Sequence, residues 1–302
     1  MASDVEGPSP GPFLPDPSSA TLPPGPGRGK LAFMDDGRSA DGIAGEALSR
    51  RRRLAGTAAS GAARALVGLV GLVYPPACIA CGAATGDAHT LCADCWSSIR
   101  FIERPFCERL GTPFAVDLGM PLVSPAAMAD PPVFDRARAA ARYDDLTGLL
   151  IQRLKYNDRL DLAPALGRMM TRPGLELGRD ADVIVPVPLH RFRLWRRRFN
   201  QAMELARPLA AAVGKPCDPS LLARVKRTRP QVGLSRAQRG ENLQGAFKAP
   251  DSAKPHLKGK RVLLVDDVLT TGATANAAAR ALLRGGARAV DVLTFARVVT
   301  EA

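Results

Sequence analysis

The sequence predicts an α/β protein whose parallel sheet carries helices on both faces. A small cysteine-rich metal module and a disordered tail precede it. Three observations predict this. From Val133 onward, short apolar runs closed by turn residues alternate with helical patterns. Four of the six cysteines fall in two CxxC pairs between residues 78 and 95. Residues 1–50 hold eight prolines among Gly, Ser and Asp, with no apolar periodicity. The 302 residues are 46% hydrophobic and 24% charged, which excludes a wholly disordered or fibrous chain. Of the 42 cations, 34 are Arg, and the net charge of +13 favours anionic partners. The planar Arg fork suits phosphate in particular.

In chain order, residues 1–50 are expected to be a disordered tail and residues 51–76 a helix. Ser49-Arg50-Arg51 before a mildly apolar run resembles a twin-arginine export signal. Arg64 interrupts that run, however, and it ends in Pro75-Pro76 without a small-residue cleavage site. The stretch from Ala65 to Val73 is far too short to span a membrane, so no membrane insertion is expected. Residues 77–112 form the cysteine module. Residues 135–143 read as an edge strand, 146–156 as an amphipathic helix, and 182–188 as a short buried strand closed by Pro186 and Pro188. Residues 199–213 are helical, with a kink or break expected near Arg207 because Pro208 lacks an N–H. A second buried strand covers 260–267, a glycine-terminated helix 273–286, and a last strand 289–299.

The chemistry concentrates in VLLVDDVLTTGATANAAARAL, residues 262–282. A buried strand delivers Asp266 and Asp267 at its carboxyl end, where ligands sit in open α/β sheets. The turn Thr270-Thr271-Gly272-Ala273-Thr274 then opens a helix, whose free N–H groups and dipole favour a phosphate. Gly272 permits close backbone approach and the threonines add hydroxyls. The two carboxylates can accept from a vicinal diol. Phosphate plus diol describes a ribose 5-phosphate. Neither GxxxxGK[ST] nor GxGxxG is present.

LVDDVLTTGAT resembles the 5-phosphoribosyl 1-pyrophosphate (PRPP) binding motif of type I phosphoribosyltransferases. Leu154-Lys155-Tyr156, VPVPLH at 185–190, Phe199-Asn200-Gln201 and QVGLSRAQRGENLQGAF at 231–247 narrow the resemblance to the ComF family of competence-associated proteins. The resemblance covers residues 66–299. It implies a Rossmann-like phosphoribosyltransferase domain over 133–302 behind a zinc ribbon, in a cytoplasmic protein. It implies that Asp266 and Asp267 hold the ribose hydroxyls and Thr270 to Thr274 the 5-phosphate. Val187 and Pro188 would form the pyrophosphate loop, with Lys155, Arg191 and Arg197 as basic partners and Mg²⁺ accompanying PRPP. Ser235, Arg236 and Arg239 would belong to a mobile flap. Arg198 stands where the family has Gly. No catalytic base is assignable, since His89, His190 and His256 are scattered.

Cys78-x-x-Cys81 and Cys92-x-x-Cys95, ten residues apart, each present two thiolates to one metal. Together they close a tetrahedral structural Zn²⁺ site, and clustered thiols of this kind indicate a reducing compartment. Cys107 resembles a remnant of the second knuckle that ComF relatives carry. Residues 113–125 offer it no partners, so a second zinc site is not expected, and Cys107 and Cys217 read as small buried apolar residues.

HRFRLWRRRFN (190–200) sets five Arg among Phe192, Trp195 and Phe199. That composition suits single-stranded nucleic acid. It equally suits core aromatics beside a solvated basic face. Two functions therefore stand side by side. One is a Mg²⁺-dependent phosphoribosyltransferase with a nitrogen acceptor that the sequence does not name. The other is a non-catalytic, single-stranded-DNA-binding competence factor that works with a DNA-uptake helicase.

Overall fold

A computed structural model describes residues 75–156, 159–226 and 236–299. The expected tail, all but the last two residues of the expected helix 51–76, and Ser235 lie outside the described residues. Arg236 and Arg239 are placed in a helix, but their side chains are not described.

The chain enters through the cysteine module, which contains α1 (Ala93–Ser97) and is followed by α2 (Pro125–Ala129). Then come β1 (Ala137–Arg142), α3 (Asp145–Tyr156), α4 (Ala163–Asp180), β2 (Val183–Pro186), α5 (Arg191–Arg197) and α6 (Gln201–Val213). β3 (Ala223–Arg224), α7 (Arg236–Leu243), β4 (Phe247–Lys248) and α8 (Lys254–Leu257) lead to β5 (Arg261–Leu269), α9 (Ala273–Arg284) and β6 (Ala289–Arg297). The main sheet is parallel throughout, in the order β1-β6-β5-β2. β1 lies at one edge, as its sequence suggests. β3 and β4 form a separate antiparallel pair.

Alternation along the central strands explains why their sequences read as unbroken apolar runs. Val262, Leu264 and Val292 join a core with Ala275, Ala278 and Leu282 of α9. Leu263, Val265, Leu293 and Phe295 join the opposite core with Leu166 and Met170 of α4 and Leu205 and Leu209 of α6. Each fully buried Leu or Phe contributes about 1.5–3 kcal/mol. β5 runs two residues further than the sequence suggests, so the acidic pair lies within the strand rather than at its last two positions.

The break expected near Arg207 does not occur. α6 is continuous, with Pro208 inside it. Proline removes one ladder hydrogen bond, and packing against α4 holds the helix together. The ring fills the space that Gly167 leaves, since a Cβ there would meet Pro208 Cγ at 2.8 Å. Gly174, two turns on, keeps α4 close to both α6 and the sheet. A Cβ at Gly174 would lie 2.4 Å from Leu209 Cδ1 and 2.9 Å from Leu293 Cδ2.

The cysteine module is not a separate bead. Cys78, Ile79 and Ala80 are buried in the same core as Leu150, Ile151 and Leu154 of α3. Arg153 of α3 donates to the carbonyls of Ile79 (2.9 Å) and Ala80 (2.6 Å). Further along, the buried Arg138 of β1 pairs with Glu108 (2.6 Å) and with Glu176 of α4 (2.7 Å), tying module, sheet and helix together. No helix among the described residues is long and apolar enough to cross a membrane.

Gly174→Ala is expected to cost about 1–3 kcal/mol, because the added methyl meets side chains from two elements at once. Chemical denaturation checks this, and an unchanged midpoint would show that α4 can move away.

Candidate functional site

The site is built at the carboxyl end of β5. Strand alternation continues past Val265, so Asp266 faces the α9 side and Asp267 the α3 side. On that side Lys155, at the end of α3, pairs with Asp267 at 2.8 Å. Burial alone would lower the Lys155 ammonium, but the charges of Asp267 and then Asp266 hold it above its ordinary value. Arg197 of α5 is near enough to oppose that rise.

Asp266 accepts the backbone N–H of Asp267 at 2.9 Å. Burial, with the neighbouring Asp267 charge, pushes its carboxyl up to about 7. Lys155 and Arg224 of β3 act in the lowering direction without cancelling this. Asp266 is therefore about half-protonated near neutrality, while Asp267 is paired with Lys155.

The turn behind the pair has the form a phosphate cradle needs. Gly272 has φ +78°, in the left-handed region, which favours glycine. It heads α9 and, having no side chain, supplies no cap to the first N–H groups of that helix. Asp266, Thr270, Gly272 and Thr274 line a small cavity between β5 and α9. The buried Thr271 hydroxyl has no hydrogen-bond partner. Buried hydroxyls normally have one, so this oxygen is left available to a ligand.

The loop after β2 lies beside this end of the sheet. Val187 is buried, and its N–H donates to the Val265 carbonyl at 2.8 Å, while Pro188 is half-buried. Asn200 caps α6 by accepting from the Ala202 N–H (3.2 Å), and its amide donates to the Val187 carbonyl (3.1 Å). The sequence pattern assigns Asn200 no role. The geometry makes it the brace between this loop and α6. Arg224 was missed altogether, because a two-residue strand leaves no periodic signal. Arg198 ends α5 with φ +60°, where an L side chain is strained by about 1–2 kcal/mol and glycine is not.

Lys155 is placed on the acidic pair rather than at the loop after β2. Arg191 is exposed at the start of α5. Phe192 and Trp195 are exposed by 47% and 79%, their rings 6.3 Å apart, whereas Phe199 packs on the core. The core reading therefore holds for Phe199 alone.

In the cysteine module, the Sγ atoms of Cys78, Cys81, Cys92 and Cys95 all lie within 4.8 Å of one another. No other such group of three or more metal-ligating side chains occurs among the described residues. Burial raises the Cys78 thiol, but N–H groups from Cys81, Cys92 and Ala80 outweigh it and bring the value down to about 6. A thiolate is the form that binds metal, and four soft donors in this arrangement fit tetrahedral Zn²⁺.

Cys107 is fully buried, as expected, but it is more than a small apolar residue. Its sulfur accepts N–H groups from Leu110 (3.4 Å) and Ser124 (3.2 Å). Burial raises its pKa, and these bonds bring it below the ordinary thiol value. Cys217 is half-buried beside Met203, and burial raises its thiol.

Residues 69–125 match the double zinc ribbon domain family, and residues 200–300 match the phosphoribosyl transferase domain family. The chain is 33% identical over 236 residues to the DNA utilization protein YhgH of Salmonella typhi, covering 76% of this chain and 100% of that one. It is 32% identical over 232 residues to Competence protein F of Haemophilus influenzae, covering 73% and 96% of the two chains. Competence protein ComFC of Bacillus subtilis is 27% identical over 208 residues, covering 68% and 82%. The chain belongs to the ComF family.

Within this ComF-family chain, the double ribbon keeps four thiols in its first half and Cys107 alone in its second. Purified protein should therefore carry one Zn²⁺ per chain by elemental analysis, lost in Cys92→Ser and kept in Cys107→Ser. Two Zn²⁺ per chain would contradict the assignment. Since the first knuckle shares a core with α3, chelation should also lower the melting temperature of the sheet domain.

Proposed function

We propose that this ComF-family protein binds PRPP at the end of β5 and transfers its phosphoribosyl group to a nitrogen acceptor. One observation carries the reading: an acidic strand end and an uncapped helix N-terminus flank a buried Thr271 hydroxyl that lacks a partner. Asp266 and Asp267 would accept from the ribose 2- and 3-hydroxyls, and Thr270 to Thr274 would cradle the 5-phosphate. Val187 and Pro188, with Arg191 and Arg197, would face the pyrophosphate. The flap residues Ser235, Arg236 and Arg239 would close over it.

In the reaction, the acceptor nitrogen forms a bond to the anomeric carbon as the bond to the pyrophosphate oxygen breaks. Pyrophosphate leaves with the electron pair, and the proton on the acceptor nitrogen passes to solvent. The chain's part is positioning and charge stabilisation. The hard carboxylate oxygens of Asp266 and Asp267 suit Mg²⁺, which when bound with PRPP offsets the charge of the leaving group.

The names of the relatives, a DNA utilization protein and a competence protein, support reading such an activity as part of DNA uptake or utilisation. A second reading has its own observation in the tilted, exposed ring pair of Phe192 and Trp195 on the arginine-rich α5. A ring pair among cations supports binding of single-stranded DNA, where bases stack and phosphates meet Arg. Both ligands could be handled by one chain, with a DNA-uptake helicase as protein partner.

Calorimetry with Mg²⁺ and PRPP tests the first reading. A hydrogen bond to a charged group is worth roughly 1.5–3 kcal/mol, so Asp266→Asn and Asp267→Asn should each weaken PRPP by about one to two orders of magnitude. Thr271→Val should weaken PRPP and ribose 5-phosphate alike, whereas Arg191→Ala should weaken PRPP alone. Wild-type protein with no affinity for either compound would overturn the reading and leave single-stranded DNA as the ligand.

A further inference from the structure

At the amino ends of β5 and β6, opposite the phosphate turn, the surface is strongly cationic. Four of the chain's eight lysines fall there, between residues 248 and 260, although arginine is the chain's usual cation. The outer side of α9 adds Arg280 and Arg284, one turn apart, and Arg288 follows before β6. Two backbone bonds bring these segments side by side. Gly259 donates to the Gly286 carbonyl (2.9 Å), and Arg288 donates to the Lys260 carbonyl (2.8 Å). Lys258, Lys260, Arg280, Arg284 and Arg288 therefore form one exposed strip.

The acids of this region are nearly all taken. Asp251 pairs with Lys254 (2.9 Å) and lies 3.9 Å from Lys248. Asp135 and Asp291 pair with Arg261, and Asp180 pairs with Arg136, which also holds Asp291. Asp182 accepts the Arg261 N–H at 2.8 Å. Glu241 lines a cavity of about 330 Å³ with Arg280 and Arg284 but forms an ion pair with neither. Among the described residues, no carboxylate pairs with any of the five strip cations. Like charges one helical turn apart repel. The helix dipole offsets this for Arg284 in the last turn of α9, but not for Arg280 a turn further in. An external polyanion is the counter-charge that such a strip lacks.

The strip's missing features narrow the partner. No large apolar side chain is exposed between residues 244 and 260 or between 277 and 291. Single strands bind through rings on which bases stack, and none is offered. Stable attachment to a bilayer needs an apolar or acyl anchor besides a polybasic patch. A duplex hides its bases, needs no ring, and carries one charge per about 1.7 Å of its axis.

We propose that this strip binds the phosphate backbone of double-stranded DNA without reading its sequence. The inference stands apart from both readings of the opposite end of the sheet. β5 is nine residues long, so the strip lies about 30 Å from the end that carries the acidic pair. The ring-bearing α5 belongs to that other end, after β2. On this account the two ends hold the two sides of a junction between duplex and single strand.

The test uses full-length protein and a labelled duplex of about 20 base pairs, titrated by fluorescence anisotropy between about 50 and 200 mM salt. Each phosphate contact contributes a slope of about −0.9 to log affinity against log salt, so five contacts contribute about −4.5. Lys258→Gln with Lys260→Gln, and Arg284→Gln with Arg288→Gln, should each make the slope shallower by about 2. Each pair should also weaken the duplex at least about tenfold at about 0.1 M salt. All four residues are exposed, so zinc content, melting temperature and PRPP affinity should stay unchanged. Arg100→Gln with Arg179→Gln removes two exposed charges elsewhere and should change duplex affinity by less than about twofold, since distant charges are screened. In Trp195→Ala, which lacks the α5 ring, the duplex should bind more tightly than a single strand of the same length. Equal loss in the Arg100 and Arg179 control, an unchanged slope in both strip variants, or a preference for single strand in Trp195→Ala would overturn the proposal. So would vesicles of phosphatidylserine and phosphatidylcholine that bind through the same four residues while the duplex does not bind.

Discussion

The site depends on two carboxylates carried out of an apolar core by a strand buried on both faces. Asp266 and Asp267 follow Val265 without a turn, so neither can reach water freely. Like charges side by side in a poorly solvated place raise the proton affinity of one of them. The fold answers with cations from three separate elements: Lys155 from α3 on Asp267, Arg197 from α5 near that lysine, and Arg224 from β3 near Asp266. Asp266 still stays near 7. Its folded value lies above the ordinary 3.8, so it favours the fold in acid and withdraws that support as pH rises through about 7. A group that weakens the free protein at working pH is what a ligand-binding end of a strand looks like.

The ribbon has two halves with different duties. The first is pinned by its metal-ligating knuckle, whose buried Ile79 fills space against α3 and whose carbonyls receive Arg153. The second half holds its turn through Cys107, with two N–H groups on the sulfur, and through backbone bonds such as Cys107 N–H to Thr112 O and Gly111 N–H to Cys107 O. Glu108, next in the chain, anchors that loop to the buried Arg138. An ion pair joined to backbone hydrogen bonds thus holds this loop, and the surface so fixed lines one cavity with the turn from Thr270 to Gly272.

Much of this was legible in the sequence, for identifiable reasons. β5, β6 and α9 were readable because long apolar runs and an Ala-rich helix leave strong patterns, and the four thiols because their spacing is itself the geometry. α4 was missed: three glycines and Pro173 in its interior look like a loop, yet those glycines are what let α6 approach. The break assigned to Pro208 failed for the same reason, since packing supplied by Gly167 outweighed a local rule. Arg297 was invisible as well. It is buried with no carboxylate paired to it among the described residues, and no residue pattern encodes that.

The most direct measurement is a carbon NMR titration of the Asp266 carboxyl, with and without saturating ribose 5-phosphate. The account predicts a midpoint near 7 in the free protein. With ligand, the midpoint should fall well toward the ordinary carboxylate range, because the sugar hydroxyls donate to the charged form. A free-protein midpoint already in the ordinary range, or one that saturating ligand leaves where it was, would contradict the claim that this strand end is the sugar site.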